Sequence, residues 1–167
     1  TGIKQAPSPC LPATPGILNT GWIDENVACV REWVANIFFY RRGETTIMID
    51  AGYNYDRLAE KMGWLGIDAK SIRHILITHQ DTDHVGAVEA DGLGLFKKAK
   101  LYIGEIENRY LTGEVRRIVM HRLYKLPQVT INNKKQLLKD GETFKIGDIK
   151  IHAFLVPGHT GGHMVYM

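Results

Sequence analysis

A mixed α/β fold, in which sheets carry helices packed on their outside, is what this 167-residue sequence predicts, and three observations predict it. Two runs rich in β-branched and aromatic residues form a pair split by a glycine turn. Short apolar runs then alternate with segments of helical spacing. The last third breaks into short strands divided by Asp-Gly and Gly-Asp turns.

Four of the six prolines fall between Pro7 and Pro15, so residues 1–32 are expected to form an irregular leading segment that wraps the body. "WVANIFFYRR" and "ETTIMIDAGY" read as the strands of a hairpin with Gly43 in the turn. "NYDRLAEKMGWLG" places Leu58, Met62 and Leu65 at helical spacing and ends near Gly63 and Gly66. "RHILIT" is a buried strand, the residues after it a loop, and "HVGAVEA" the start of a helix. "AKLYIG" is another strand, and "EIENRYLTGEVRRIVMHRLY" is predicted to be mostly helical with a break at Gly113. The final stretch, "QVTINNKKQLLKDGETFKIGDIKIHAFLVPGHTGG", alternates strands and turns.

A hydrophobic content of 44% can bury one respectable core, whereas two cores would each be small, so a single domain spanning 1–167 is expected. The net charge is +3, with basic residues scattered in short clusters such as Arg116-Arg117 and Lys134-Lys135. These read as a solvated basic surface and weigh against nucleic acid as a partner. No apolar run is long enough to cross a bilayer, so a soluble protein without a membrane partner is expected. With no charged-then-apolar leader, the expected compartment is the cytoplasm. Cys10 and Cys29 are too few for a disulfide framework and lack zinc-ribbon spacing.

The chemistry concentrates in "ITHQDTDHVGA", residues 77–87, which sets His79, Asp81, Asp83 and His84 directly after a buried strand. In extended chain, side chains two apart point the same way, so His79 and Asp81 converge on one point. Asp83 and His84 follow once the chain turns and reach a second, adjacent point. Any one of these residues alone reads as a helix cap or an ordinary histidine. Four together carry a desolvation cost that a divalent ion removes. Much later, "IKIHAFLVPGHTGGHMVYM" places His159 in a rigid Pro-Gly turn after another apolar strand.

The pair "THQDTDH" and "PGHTGGH" resembles the signature of the metallo-β-lactamase fold superfamily, His-x-His-x-Asp-His followed by a histidine in a Gly-His-Thr turn. "TIMIDAGY" is similar to that family's first motif, a strand ending in Asp-x-Gly, and the likeness covers roughly residues 33 to 167. The resemblance implies an αββα sandwich, incomplete at its C-terminal end, and a metal-dependent hydrolase. Carried over by residue, it implies that His79, Asp81 and His159 bind a first metal, while Asp83 and His84 contribute to a second. Asp50 then ties a strand end to the loops around the site.

Two departures matter. Asp81 stands where the motif has its middle histidine, and a hard oxygen in place of a nitrogen moves the preference toward iron or manganese, with zinc still the first choice. The family's bridging aspartate and final histidine would fall beyond Met167, so the chain is expected to be a piece of a longer fold. The implied cofactor is one or two zinc ions. A metal-bound water of pKa about 7 would then cleave an ester, thioester, lactone or phosphoester bond of a small-molecule substrate, with Asp83 orienting it and accepting its proton. The alternatives are a di-iron oxygen or nitric oxide reductase-type domain, and a metal-binding domain without catalysis. His163 is expected to support the ligands, and His74, His121 and His152 receive no ligand role.

Overall fold

The computed structural model describes residues 18–32, 35–53, 57–89, 94–119, 122–124 and 130–167. The proline-rich start, Cys10 and His121 lie outside the described residues. The chain runs through β1 (Gly21–Trp22), β2 (Val27–Arg31), β3 (Asn36–Arg42), β4 (Thr45–Ile49), α1 (Leu58–Trp64), β5 (His74–Ile77) and α2 (Thr82–Val85). It continues with β6 (Lys100–Gly104), α3 (Glu105–Leu111), β7 (Arg117–Val119), β8 (Arg122–Tyr124), β9 (Lys135–Leu138), β10 (Thr143–Ile146), β11 (Ile149–Leu155) and β12 (Met164–Tyr166).

Among the described residues one sheet has seven strands, in the order β1-β2-β3-β4-β5-β6-β9, and a second has three, β10-β11-β12. The expected hairpin is β3 and β4, with Phe39 opposite Met48 and Gly43 at φ 56° in the turn, a conformation that suits glycine. From β4 onward the large sheet is parallel, and strands buried on both faces read as the continuous apolar runs "HILI" and "KLYIG".

Side-chain alternation sorts this sheet into two cores. Ile37, Phe39, Met48, Ile75, Ile77, Leu101 and Ile103 point to the helices, where Leu58 and Met62 of α1 meet them. Ile47, Leu76 and Tyr102 point the other way, against Ile149, Ile151, Ala153 and Met164 of the second sheet. The result is a layer of helices, a sheet and a second sheet, which are three of the four layers of the predicted αββα sandwich. The helices are too short to be stable alone and are held by these contacts. No helix among the described residues is long and apolar enough to cross a membrane.

Three expectations are corrected. Residues 21–31 are not irregular: "GW" and "VACVR" form β1 and β2, and Ala28 and Val30 are fully buried. The helix expected from His84 onward begins at Thr82, so Asp83 sits on the helix, and after Val85 it tightens into a 3₁₀ turn over Gly86–Val88. The long helix expected after Gly104 stops at Leu111. Gly113, at φ 74°, reverses the chain, and the segment beyond pairs as β7 and β8, because β-branched residues around it suit a strand better than a helix.

One close approach positions the later site. Gly86 N donates to Gly52 O (2.6 Å) and Ala51 N to His84 O (2.7 Å), docking α2 on the turn after β4. A Cβ on Gly86 would lie 2.5 Å from the backbone carbon of Tyr53, closer than any packing allows. Gly86→Ala is therefore expected to lower unfolding free energy by about 1–3 kcal/mol in denaturant titrations; an unchanged midpoint would contradict this docking.

Candidate metal centre

Parallel pairing of β4 with β5 and of β5 with β6 brings three carboxyl-terminal strand ends to one edge, where open α/β sheets present their sites. Asp50 follows β4, Thr78 and His79 follow β5, and α3 follows β6. The second sheet supplies the connection between β11 and β12, which carries His159. Met164 N donates to Thr78 O (2.9 Å), so this connection is tied to the end of β5.

Asp50 organises the cluster. It is the non-glycine residue with positive φ, 61°, among those described, and its carboxylate accepts from Thr78 N (2.7 Å), Thr78 Oγ1 (2.8 Å) and His84 Nδ1 (2.7 Å). A non-glycine residue in this region stores strain, which the three hydrogen bonds hold in place. Thr78 Oγ1, having given its hydrogen to Asp50, accepts from His79 Nδ1 at 3.0 Å. This network assigns the His79 proton to Nδ1 and leaves the Nε2 lone pair facing inward.

That Nε2 atom is buried without a hydrogen-bond partner among the described residues. It lies 3.5 Å from Asp81 Oδ2, which in turn is 3.0 Å from His159 Nε2. The ligating atoms of His79, Asp81 and His159 all lie within 4.8 Å of one another. A lone pair and a carboxylate oxygen facing each other repel, and a cation between them removes the conflict. The donor set, two imidazoles and a carboxylate, fits zinc.

Asp83 and His84 sit beside this triad. His84 Nε2 is 3.4 Å from Asp83 Oδ2, and the His84 ring centroid is 3.9 Å from that of His79. His163 stacks on His79 with centroids 4.9 Å apart. His74 and His152 lie elsewhere, on Tyr102 Oη (3.0 Å) and Thr143 Oγ1 (2.8 Å).

Two residues at the site were not singled out from the sequence. Arg117, read there as part of a solvated basic cluster, donates through Nη1 to Asp81 Oδ1 and through Nη2 to His159 O, both at 2.6 Å. Its side chain is only 14% exposed. Glu107 on α3 is wholly buried and accepts from Gln80 N (2.9 Å), Thr160 Oγ1 (2.5 Å) and Gly162 N (2.9 Å). It thereby clips the loop of His79 and Asp81 to the loop of His159. The available signal was its spacing: Leu111, four residues on, shares its buried helix face.

Charge follows this geometry. Burial opposes ionisation of Asp81, but the hydrogen bond and charge of the Arg117 guanidinium help to outweigh it, and the carboxyl is held well below the usual range. His84 is likewise resisted by burial, yet its hydrogen bonds to Asp50 and Asp83 push its pKa up to about 10. His84 beside Asp83 keeps that carboxyl low and therefore ionised at neutral pH.

The model of the family described as the metallo-beta-lactamase superfamily matches residues 30–166. The chain belongs to the metallo-β-lactamase superfamily. It is 27% identical over 127 residues to a probable polyketide biosynthesis zinc-dependent hydrolase, BaeB, of Bacillus velezensis, covering 76% of this chain and 47% of that protein. It is 30% identical over 129 residues to a hydroxyacylglutathione hydrolase of Buchnera aphidicola, covering 76% of this chain and 40% of that one. The chain thus spans about half the length of these relatives or less. The crystal structure of the metallo-beta-lactamase SMB-1 bound to 2-mercaptoethanesulfonate superposes with a TM-score of 0.71 at 22% identity, covering 87% of this chain and 56% of that one. At that identity the likeness concerns the fold.

The raised His84 pKa makes a pH prediction. In the metal-free protein the protonated imidazole stabilises the fold fully below its unfolded value, about 6.5, and this contribution disappears as pH rises toward the folded value. Thermal melts in chelator should therefore show stability falling from pH 6.5 to 10, and His84→Gln should remove most of that slope. An unchanged slope in the variant would contradict the Asp50–His84–Asp83 pairing.

Proposed function

We propose that this chain carries the metal-binding centre of a zinc-dependent hydrolase that transfers the acyl group of a small-molecule thioester or ester to water. The observation that carries the reading is the unpaired, inward-facing Nε2 of His79, aimed with His159 Nε2 at a carboxylate oxygen of Asp81. His79, Asp81 and His159 would hold the first ion, and Asp83 with His84 would face a second. A zinc ion so held supplies a Lewis acid and a water acidified toward a pKa of about 7.

The remaining work falls to the protein. His79 is fixed in its ligating tautomer by the chain Asp50–Thr78–His79, so no reorientation precedes binding. Asp83, ionised and partly exposed at the start of α2, orients the attacking water and accepts its proton. His84, anchored on Asp50 through Nδ1, has its Nε2 3.4 Å from Asp83 Oδ2, which restrains that carboxylate beside it. His159, with a side chain 60% exposed, lies on the open side, where a substrate arrives. Hydrolysis of an acylated thiol is the favoured reaction because one relative is named as a hydroxyacylglutathione hydrolase.

Tested with thioester, ester, lactone and bis-nitrophenyl phosphate substrates in the zinc-loaded protein, Asp83→Asn should lower kcat/KM by about 10²–10⁴-fold while the melting curve stays intact. His159→Ala, which leaves one imidazole and one carboxylate of the triad, should weaken zinc uptake and abolish turnover together. Turnover preserved in either variant would defeat the assignment.

A further inference from the structure

Resting on the reading of Asp81 as a ligand, we propose that Arg117 is the positioning residue that lets an aspartate serve where the superfamily motif places a histidine. An imidazole offers a metal one neutral nitrogen. A carboxylate in the same place differs in two ways, because it adds a negative charge and presents two oxygens that can rotate or chelate. The structure answers both differences with one side chain.

Asp81 Oδ1 is occupied by two donors, Arg117 Nη1 at 2.6 Å and Gln80 Nε2 at 2.9 Å. Only Oδ2 is left facing His79 Nε2 and His159 Nε2, at 3.5 and 3.0 Å. The aspartate is thus held to a single inward-facing oxygen, as an imidazole would present a single nitrogen. The guanidinium also cancels the added charge where both partners are shielded, with side chains 14% and 19% exposed, so solvent screening is weak. Its second nitrogen, Nη2, donates to His159 O at 2.6 Å. The same planar fork therefore fixes the carboxylate ligand and the backbone of the third ligand, 78 residues away in sequence. A lysine has no such fork.

Arg117 reaches this place because the chain after α3 turns at Gly113 and enters β7, whose first residue it is. Among the described residues the ion-pair partner of Arg117 is Asp81, and its other hydrogen bond goes to a backbone oxygen, so its charge is directed at the aspartate. With an imidazole at position 81 the guanidinium would have nothing to neutralise and would stand as a cation beside a cation site.

The test is a double-substitution cycle read as zinc affinity, measured by competition with a chromophoric chelator on the whole chain. Arg117→Ala should weaken zinc about 10–100-fold in the natural background. Against Asp81→His, the same substitution should leave affinity unchanged or improve it. Arg117→Lys, which keeps the charge and loses the fork, should recover only part of the loss, and circular dichroism checks that each variant is folded. Equal losses in both backgrounds would make Arg117 a structural support for the His159 loop and overturn the proposal. No loss in the natural background would overturn it too, leaving the metal assignment standing, whereas a natural chain that takes up no zinc would overturn both.

Discussion

The carboxylate of Asp50 is the constraint on which the site depends. A left-handed backbone at this residue turns the chain sharply after β4, and the side chain then receives hydrogen bonds from Thr78 and His84. Through Thr78 it sets the tautomer of His79, and through Nδ1 it aims His84. One buried anion therefore orients two imidazoles on different elements. The strain of its backbone and the cost of its burial are offset by three donors, Thr78 N, Thr78 Oγ1 and His84 Nδ1.

The rest of the cluster repeats this logic of charge satisfied in place. Burying an ion costs several kcal/mol unless strong partners replace water. Glu107 replaces it with two backbone amides and a hydroxyl, Asp81 with a guanidinium and an amide, and His84 with Asp50 and Asp83. Among the described residues of the cluster, the Nε2 atom of His79 and the Nδ1 atom of His163 remain without a hydrogen-bond partner. A cluster whose carboxylates are satisfied, with the bare Nε2 of His79 at the meeting point of three potential ligand atoms, has the arrangement of a preorganised cation site.

Much of this was legible in the sequence, and the limits have physical causes. Motifs whose parts are adjacent in sequence, such as His79, Asp81, Asp83 and His84, announce themselves because a strand end followed by a turn leaves them little freedom. The Asp50 tie was legible through its strand-Asp-x-Gly pattern. Arg117 was not, because a surface arginine and one folded inward from a hairpin have the same local sequence, and only the reversal at Gly113 separates them. The same reversal defeated the long helix expected after Gly104. Strands β1 and β2 were obscured by the proline-rich residues before them, although "VACVR" carries the β-branched pattern that pairs with β3.

The central claim is that His79, Asp81 and His159 share one ion. X-ray absorption at the zinc edge, on protein loaded with one equivalent, tests it most directly. A first shell of nitrogen and oxygen near about 2.0–2.1 Å, with outer-shell scattering from two imidazoles that falls to one when His159 is replaced, is the expected result. A shell that His159→Ala leaves unaltered, or one fitted by water alone, would contradict it.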